Sequence, residues 1–284
     1  MWRKVLLLVG LAATFGGVAL RVHNHTRAAL SAHEKADAAA MAGMNHGMAT
    51  GNGTPGVVSG LELKLLSVPA AGDVSMSFQI LNQGVPVTEF AENHTKKLHF
   101  VLVKTDLSGF QHIHPTMTPD GTWTTSAKLT AGSWRAIADS LPTVGSMSMQ
   151  MILAADFTVP GVAVTTPLPP AAITATVDGY TVTASGAIGV GHAHNFTLTV
   201  TKDGAPVTDI GEYLGAYGHL VAIDTKKLTY NHLHPGRVLE PGVLVGPDVV
   251  FQAQLPADSL YRLFFEFNAG GSIHRAEFTM DVFE

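Results

Sequence analysis

The stretch that decides the reading is LHFVLVKTDLSGFQHIHP, residues 98–115, because it occurs again as GHLVAIDTKKLTYNHLHP, residues 218–235. His99, His112, His114 and Pro115 read H-x12-H-x-H-P, and His219, His232, His234 and Pro235 read the same 120 residues later. Upstream of each copy, at the same offset, sits G-x-P-V-T, as Gly84 to Thr88 and Gly204 to Thr208. Residues 75–115 and 195–235 lie over each other without a gap. A fold alone can keep Pro and Gly. Three histidines kept between two otherwise diverged copies need a shared structural job or a shared ligand, and imidazole is the commonest metal ligand in proteins.

Inside each copy the pattern is that of a strand pair. Leu98, Phe100 and Leu102 alternate with His99, Val101 and Val103, and Asp106 to Gly109 supplies a turn. His112 and His114 are two apart on one strand and therefore point to one face. If His99 pairs opposite His114, all three imidazoles share that face, with directly opposed Cβ atoms about 4.5–5.5 Å apart. A slip of one residue would turn His99 away. The same construction applies to His219, His232 and His234.

Working outward, alternation continues through Leu61, Leu63 and Leu65 and through Val74, Met76, Phe78 and Ile80, with turn signals at Asn82-Gln83-Gly84, Pro119-Asp120-Gly121 and Ala131-Gly132. The tails also correspond: Trp134 to Ile137 matches Tyr261 to Phe264, and Ala155 to Thr158 matches Ala276 to Thr279. Helical periodicity is nowhere sustained. The expectation is an all-β protein: two tandem antiparallel β-sandwiches, Ig-like or cupredoxin-like, over residues 57–160 and 173–284, joined by a Pro-rich linker at 161–172.

The N-terminus reads as a targeting segment over residues 1–21. Arg3 and Lys4 precede an apolar run from Val5 to Leu20, which suits a hydrophobic anchor helix or a signal peptide cleaved after Ala19. Either way the bulk of the chain is expected outside the cytoplasm, tethered to the cytoplasmic membrane or secreted. Residues 22–56 then form a flexible linker in which Met41, Met44, His46 and Met48 crowd together. Interleaved His and Met in a solvated tract point to metal, and thioether with imidazole points to copper.

Composition narrows the function. The chain has 284 residues, no cysteine and a net charge of −5, with 46% hydrophobic and 14% charged residues. That fits folded domains and excludes disulfides, thiolate zinc sites, iron–sulfur clusters and cysteine nucleophiles. No basic patch suggests nucleic acid. A metal here must be held by His, Met, carboxylate or backbone oxygen. His274, near the start of the last strand, is the expected fourth ligand to the second triad. The first copy has Leu153 there, beside Met147, Met149 and Met151, which read mainly as core. His192 and His194 form another H-x-H and read mainly as structural.

The runs GAYGHLVAI (215–223), L-x-Y-x-H-x-H-P (228–235), Y-R-L-F-x-x-F (261–267) and IHRAEFT (273–279) resemble bacterial, chiefly actinobacterial, secreted or membrane-anchored proteins usually described only as hypothetical or heavy-metal-binding. The resemblance spans about residues 57–284. It implies an extracytoplasmic sandwich pair linked with copper handling and supplies no activity. The expectation is a non-enzymatic copper-binding protein that buffers, sequesters or delivers the ion, with zinc as the other candidate metal. The competing readings are a surface interaction module without metal, and a copper-dependent enzyme like superoxide dismutase, whose zinc-site aspartate is not recognisable here.

Overall fold

A computed structural model describes residues 49–67, 70–237, 239–240 and 242–283. The targeting segment and Met41, Met44, His46 and Met48 lie outside the described residues. Every regular element described is a β-strand, and nearly all pairings are antiparallel.

Each repeat builds two sheets around one core. In the first, Leu61–Leu65, Gly72–Asn82 and Thr122–Leu129 are neighbours in one sheet; Phe110–Ile113, Leu98–Lys104, Gly132–Val144 and Met151–Val159 follow one another across the other. In the second repeat, Tyr180–Gly186, His194–Lys202 and Asp248–Leu255 adjoin in the same way. Opposite them run Tyr230–Leu233, His219–Asp224, Ser259–Ala269 and Ser272–Val282. The alternating apolar residues expected from sequence fill the two cores: Leu63, Phe78, Ile80, Phe100, Leu102 and Trp123 in the first, and Val182, Phe196, Leu198, Phe251, Phe265 and Phe278 in the second.

The strand Leu98–Lys104 is buried at every position, as is His219–Asp224. A strand with one solvated face alternates; continuous burial means that both faces are covered. Leu98, Phe100 and Leu102 enter the first repeat's own core. Val101 and Val103 face the other way. They join Phe110, Ile137, Val221, Ile223, Leu228, Tyr230 and Phe264 in a third core that contains residues of both repeats. Phe110 and Phe264 stack there, with ring centroids 3.9 Å apart. Arg135 crosses the same boundary, donating from Nη1 to the carbonyl oxygens of Lys227 at 3.0 Å and Leu228 at 3.3 Å. The two repeats are thus one packed body, with the two histidine-bearing sheets back to back.

Two connections behave unlike spacers. The end of the expected flexible linker is threaded between the repeats. Thr50 exchanges backbone hydrogen bonds with Gln150 and Ile152, and Tyr230 N donates to Asn52 O at 2.9 Å. Gly53 sits here with φ +77°, and a Cβ at that position would come 3.1 Å from Tyr230 Cβ. The Pro-rich linker is also tied down, by Lys104 Nζ donating to Val164 O at 2.6 Å and Thr166 N donating to Asp106 Oδ2 at 3.1 Å.

Candidate metal centre

Both histidine hairpins adopt the register that brings their rings together. Phe100 pairs with Ile113 and Val101 with His112, which sets His99 across from His114. Leu220 pairs with Leu233 and Val221 with His232, which does the same for His219 and His234. In each triad one nitrogen per ring lies within 4.8 Å of the other two, a grouping that could hold a metal ion.

The nitrogens are paired in a specific sense. His99 Nδ1 lies 3.0 Å from His112 Nε2 and 3.2 Å from His114 Nε2. The far nitrogen of His99, Nε2, donates to Asn93 O at 3.0 Å, and the far nitrogen of His112, Nδ1, donates to Glu266 Oε2 at 2.7 Å. A neutral imidazole has one N–H, so donation to Asn93 leaves His99 Nδ1 with a bare lone pair, 3.0 Å from His112 Nε2. In the second triad His219 Nδ1 lies 3.0 Å from His232 Nε2 and His219 Nε2 donates to Tyr213 O at 2.9 Å, while His232 Nδ1 stands 3.4 Å from Asp139 Oδ2 without a hydrogen bond.

Burial disfavours the charged form of four of these rings. The side chains of His112 and His232 are 0% and 2% exposed. Burial, reinforced by the neighbouring His112, pushes His99 down to about 2 and His219 to about 3. Burial, with His112 and Lys96, lowers His114 to about 3. His232 is held well below the usual range by burial and then by His234 and His219. Burial raises Asp139 to about 6, against hydrogen bonds from Gln150 and Tyr230. Neutral imidazole is the form that binds metal.

The two triads lie side by side. Ring centroids of His99 and His232 are 5.3 Å apart, those of His112 and His232 5.7 Å, and those of His112 and His219 6.2 Å. His94 lies among them, stacked on His234 at 3.6 Å and 6.0 Å from His219. The outer carboxylates are exchanged: Glu266 of the second repeat serves His112 of the first, and Asp139 of the first faces His232 of the second. These acids hold equivalent places, since His99 pairs with Asp139 and His219 with Glu266.

His274 is not the fourth ligand. Its Nδ1 meets Asp178 Oδ2 at 2.8 Å, its Nε2 meets Ala269 O at 3.2 Å, and its ring lies 4.5 Å from that of Tyr180. The cause is register. His219 pairs with Glu266 and Glu266 with Arg275, so Arg275 shares the triad's face and His274, one residue earlier, faces the opposite side. Met151 is core, as expected, but Met147 and Met149 are 72% and 49% exposed. The rings of His192 and His194 lie 4.6 Å apart on exposed residues.

Sequence reasoning missed His94, Asp139 and Glu266. The two acids were open to discovery: each falls two places after the matched Ile137 and Phe264, in a largely buried stretch of strand. His94 left no such signal, because the equivalent position in the second repeat is Leu214.

Residues 175–284 match a family described as a domain of unknown function, DUF8832. No curated protein matches the chain. Two crystal structures of DUF3823 family proteins are similar to it. The one from Parabacteroides merdae is 12% identical, with 75% of this chain and 100% of that one covered and a TM-score of 0.22. The one from Bacteroides ovatus is 14% identical, with 75% and 98% covered and a TM-score of 0.22. Scores this low bear on neither the fold nor the site.

Proposed function

We propose that this protein is an extracytoplasmic copper-binding protein that buffers, sequesters or delivers the ion. In this reading it is a tandem pair of Ig-like or cupredoxin-like sandwiches behind an N-terminal anchor or signal segment. The observation that carries it is the convergence of one nitrogen from each of three rings in both triads, with the bare Nδ1 of His99 and of His219 each 3.0 Å from the next ring. With metal–nitrogen bonds of about 2.0–2.1 Å, two ligands stand about 2.9 Å apart at a right angle and about 3.3 Å apart in a tetrahedron. The spacings of 3.0 and 3.2 Å fall in that window. The carbonyls behind His99 and His219 and the carboxylate behind His112 are outer partners of the kind that metal-bound histidine ordinarily has. All-imidazole sets suit Cu(II) and Zn(II), and the Met-rich tract at 41–48, outside the described residues, favours copper and supports capture and transfer.

The test is equilibrium titration of the purified protein with Cu(II) and with Zn(II). Copper should bind more tightly, and His112→Ala with His232→Ala should remove the triad-bound metal while strand content is kept. Unchanged stoichiometry in the double variant, with lowered stability, would make the histidines a structural network and end this reading.

A further inference from the structure

We infer that the two triads form one dinuclear metal centre, built across the boundary between the repeats, in which each metal takes its three nitrogens from one repeat and its outer carboxylate from the other. The ligand class is a pair of first-row transition-metal ions. This rests on the copper-binding reading above and goes beyond it, because two sandwiches could equally carry two independent sites on distant faces.

Three observations place the sites together. First, each triad converges on its own point, through contacts of 3.0 and 3.2 Å in the first and 3.0 Å in the second, so neither needs the other's nitrogens to complete a three-ligand set. Second, rings of different triads are nearly as close as rings of the same triad. The centroids of His99 and His232 stand 5.3 Å apart, against 5.2 Å for His99 and His112. Third, the carboxylates are swapped. Glu266 lies on the strand next to His219, its own repeat's ligand, yet its Oε2 accepts from His112 Nδ1 at 2.7 Å. Asp139 lies on the strand next to His99, yet its Oδ2 lies 3.4 Å from His232 Nδ1. A reciprocal contact of this kind is what a two-fold interface produces. Here the two-fold relates the halves of one chain, and the shared apolar core fixes it. Emptying one site therefore alters the ring orientation and charge around the other.

The experiment uses the full chain with Met41, Met44, His46 and Met48 changed to Ala, so that the tract does not contribute copper. The probe is Cu(II) alone, read by electron paramagnetic resonance. At saturation two copper ions should bind, with a half-field transition that only two neighbouring spins give, and an integrated intensity or line shape unlike that of two isolated ions. In the His219→Ala/His232→Ala background, where only the first triad remains, Glu266→Gln should weaken its copper about 10- to 100-fold. Two bound coppers with isolated spectra, or no effect of Glu266→Gln on the first triad, overturn the dinuclear centre and leave copper binding standing. A single copper per chain overturns it in favour of one shared ion. No copper at all overturns both this inference and the function it rests on.

Discussion

At the scale of the residue, the histidine cluster is oriented from outside. The carbonyls of Asn93 and Tyr213 hold the N–H groups of His99 and His219 outward and leave their Nδ1 atoms bare, and Glu266 accepts from His112 Nδ1. A pH dependence follows for the metal-free protein. His99, His114, His219 and His232 have folded values lowered from 6.5, so the unfolded chain binds more protons below that point. Stability contributed by these four is present above about pH 6.5 and is lost as pH falls toward the lowered values. Asp139 acts in the opposite sense: its folded value is raised from 3.8 to about 6, so the fold is favoured as pH falls through that window. Four groups outweigh one. The urea midpoint of the chelator-treated protein should therefore drop between pH 7.5 and pH 5, and an unchanged or rising midpoint would contradict the burial of neutral imidazoles.

At the scale of the element, one-residue register decides which histidines matter. His274 falls on the core side of its strand, against Tyr180 and Phe267, with both ring nitrogens engaged. His274→Ala should cost about 1–3 kcal/mol of stability, the usual penalty for leaving a buried acceptor, here the Ala269 carbonyl, unpaired. Copper stoichiometry should not change; loss of a copper on that substitution would mean that the strand's register differs from the one described. The segment from Thr50 to Gly53 is an element of a different kind, a clasp bonded to Gln150, Ile152, Tyr230 and Arg135. Removing every residue before Val57 should lower the thermal midpoint measurably, because it strips these bonds and uncovers buried backbone; an unchanged midpoint would show the segment to be a spacer. The hairpins themselves were legible in the sequence, from period-2 alternation and the Asp106 to Gly109 turn; their register, on which the meeting of the three rings depends, came only with the strand pairing. The place of His274 was not, because nothing in a single strand states which residue of its partner it will face.

At the scale of the molecule, the repeat was legible and the meeting of its copies was not. Val101, Val103, Val221 and Ile223 read equally well as the half-exposed face of a lone sandwich and as an interface. Only the packing shows that the faces cover each other. Asp139 and Glu266 carried the missing signal, as acids at matched places beside buried histidines. The stacked pair Phe110 and Phe264 sits in the seam. Phe110→Ala should cost about 3–5 kcal/mol and should weaken copper at both triads, although the residue touches neither set of inner nitrogens; calorimetric titration beside chemical unfolding would show an effect on stability alone if the seam did not support the centre. The central claim is tested most directly by anomalous diffraction at the copper edge from crystals of the copper-loaded protein. The prediction is two neighbouring peaks at the repeat boundary, one about 2.0–2.1 Å from His99 Nδ1, His112 Nε2 and His114 Nε2, the other bound by His219, His232 and His234. A single peak, peaks at other residues, or none within the two triads would contradict it.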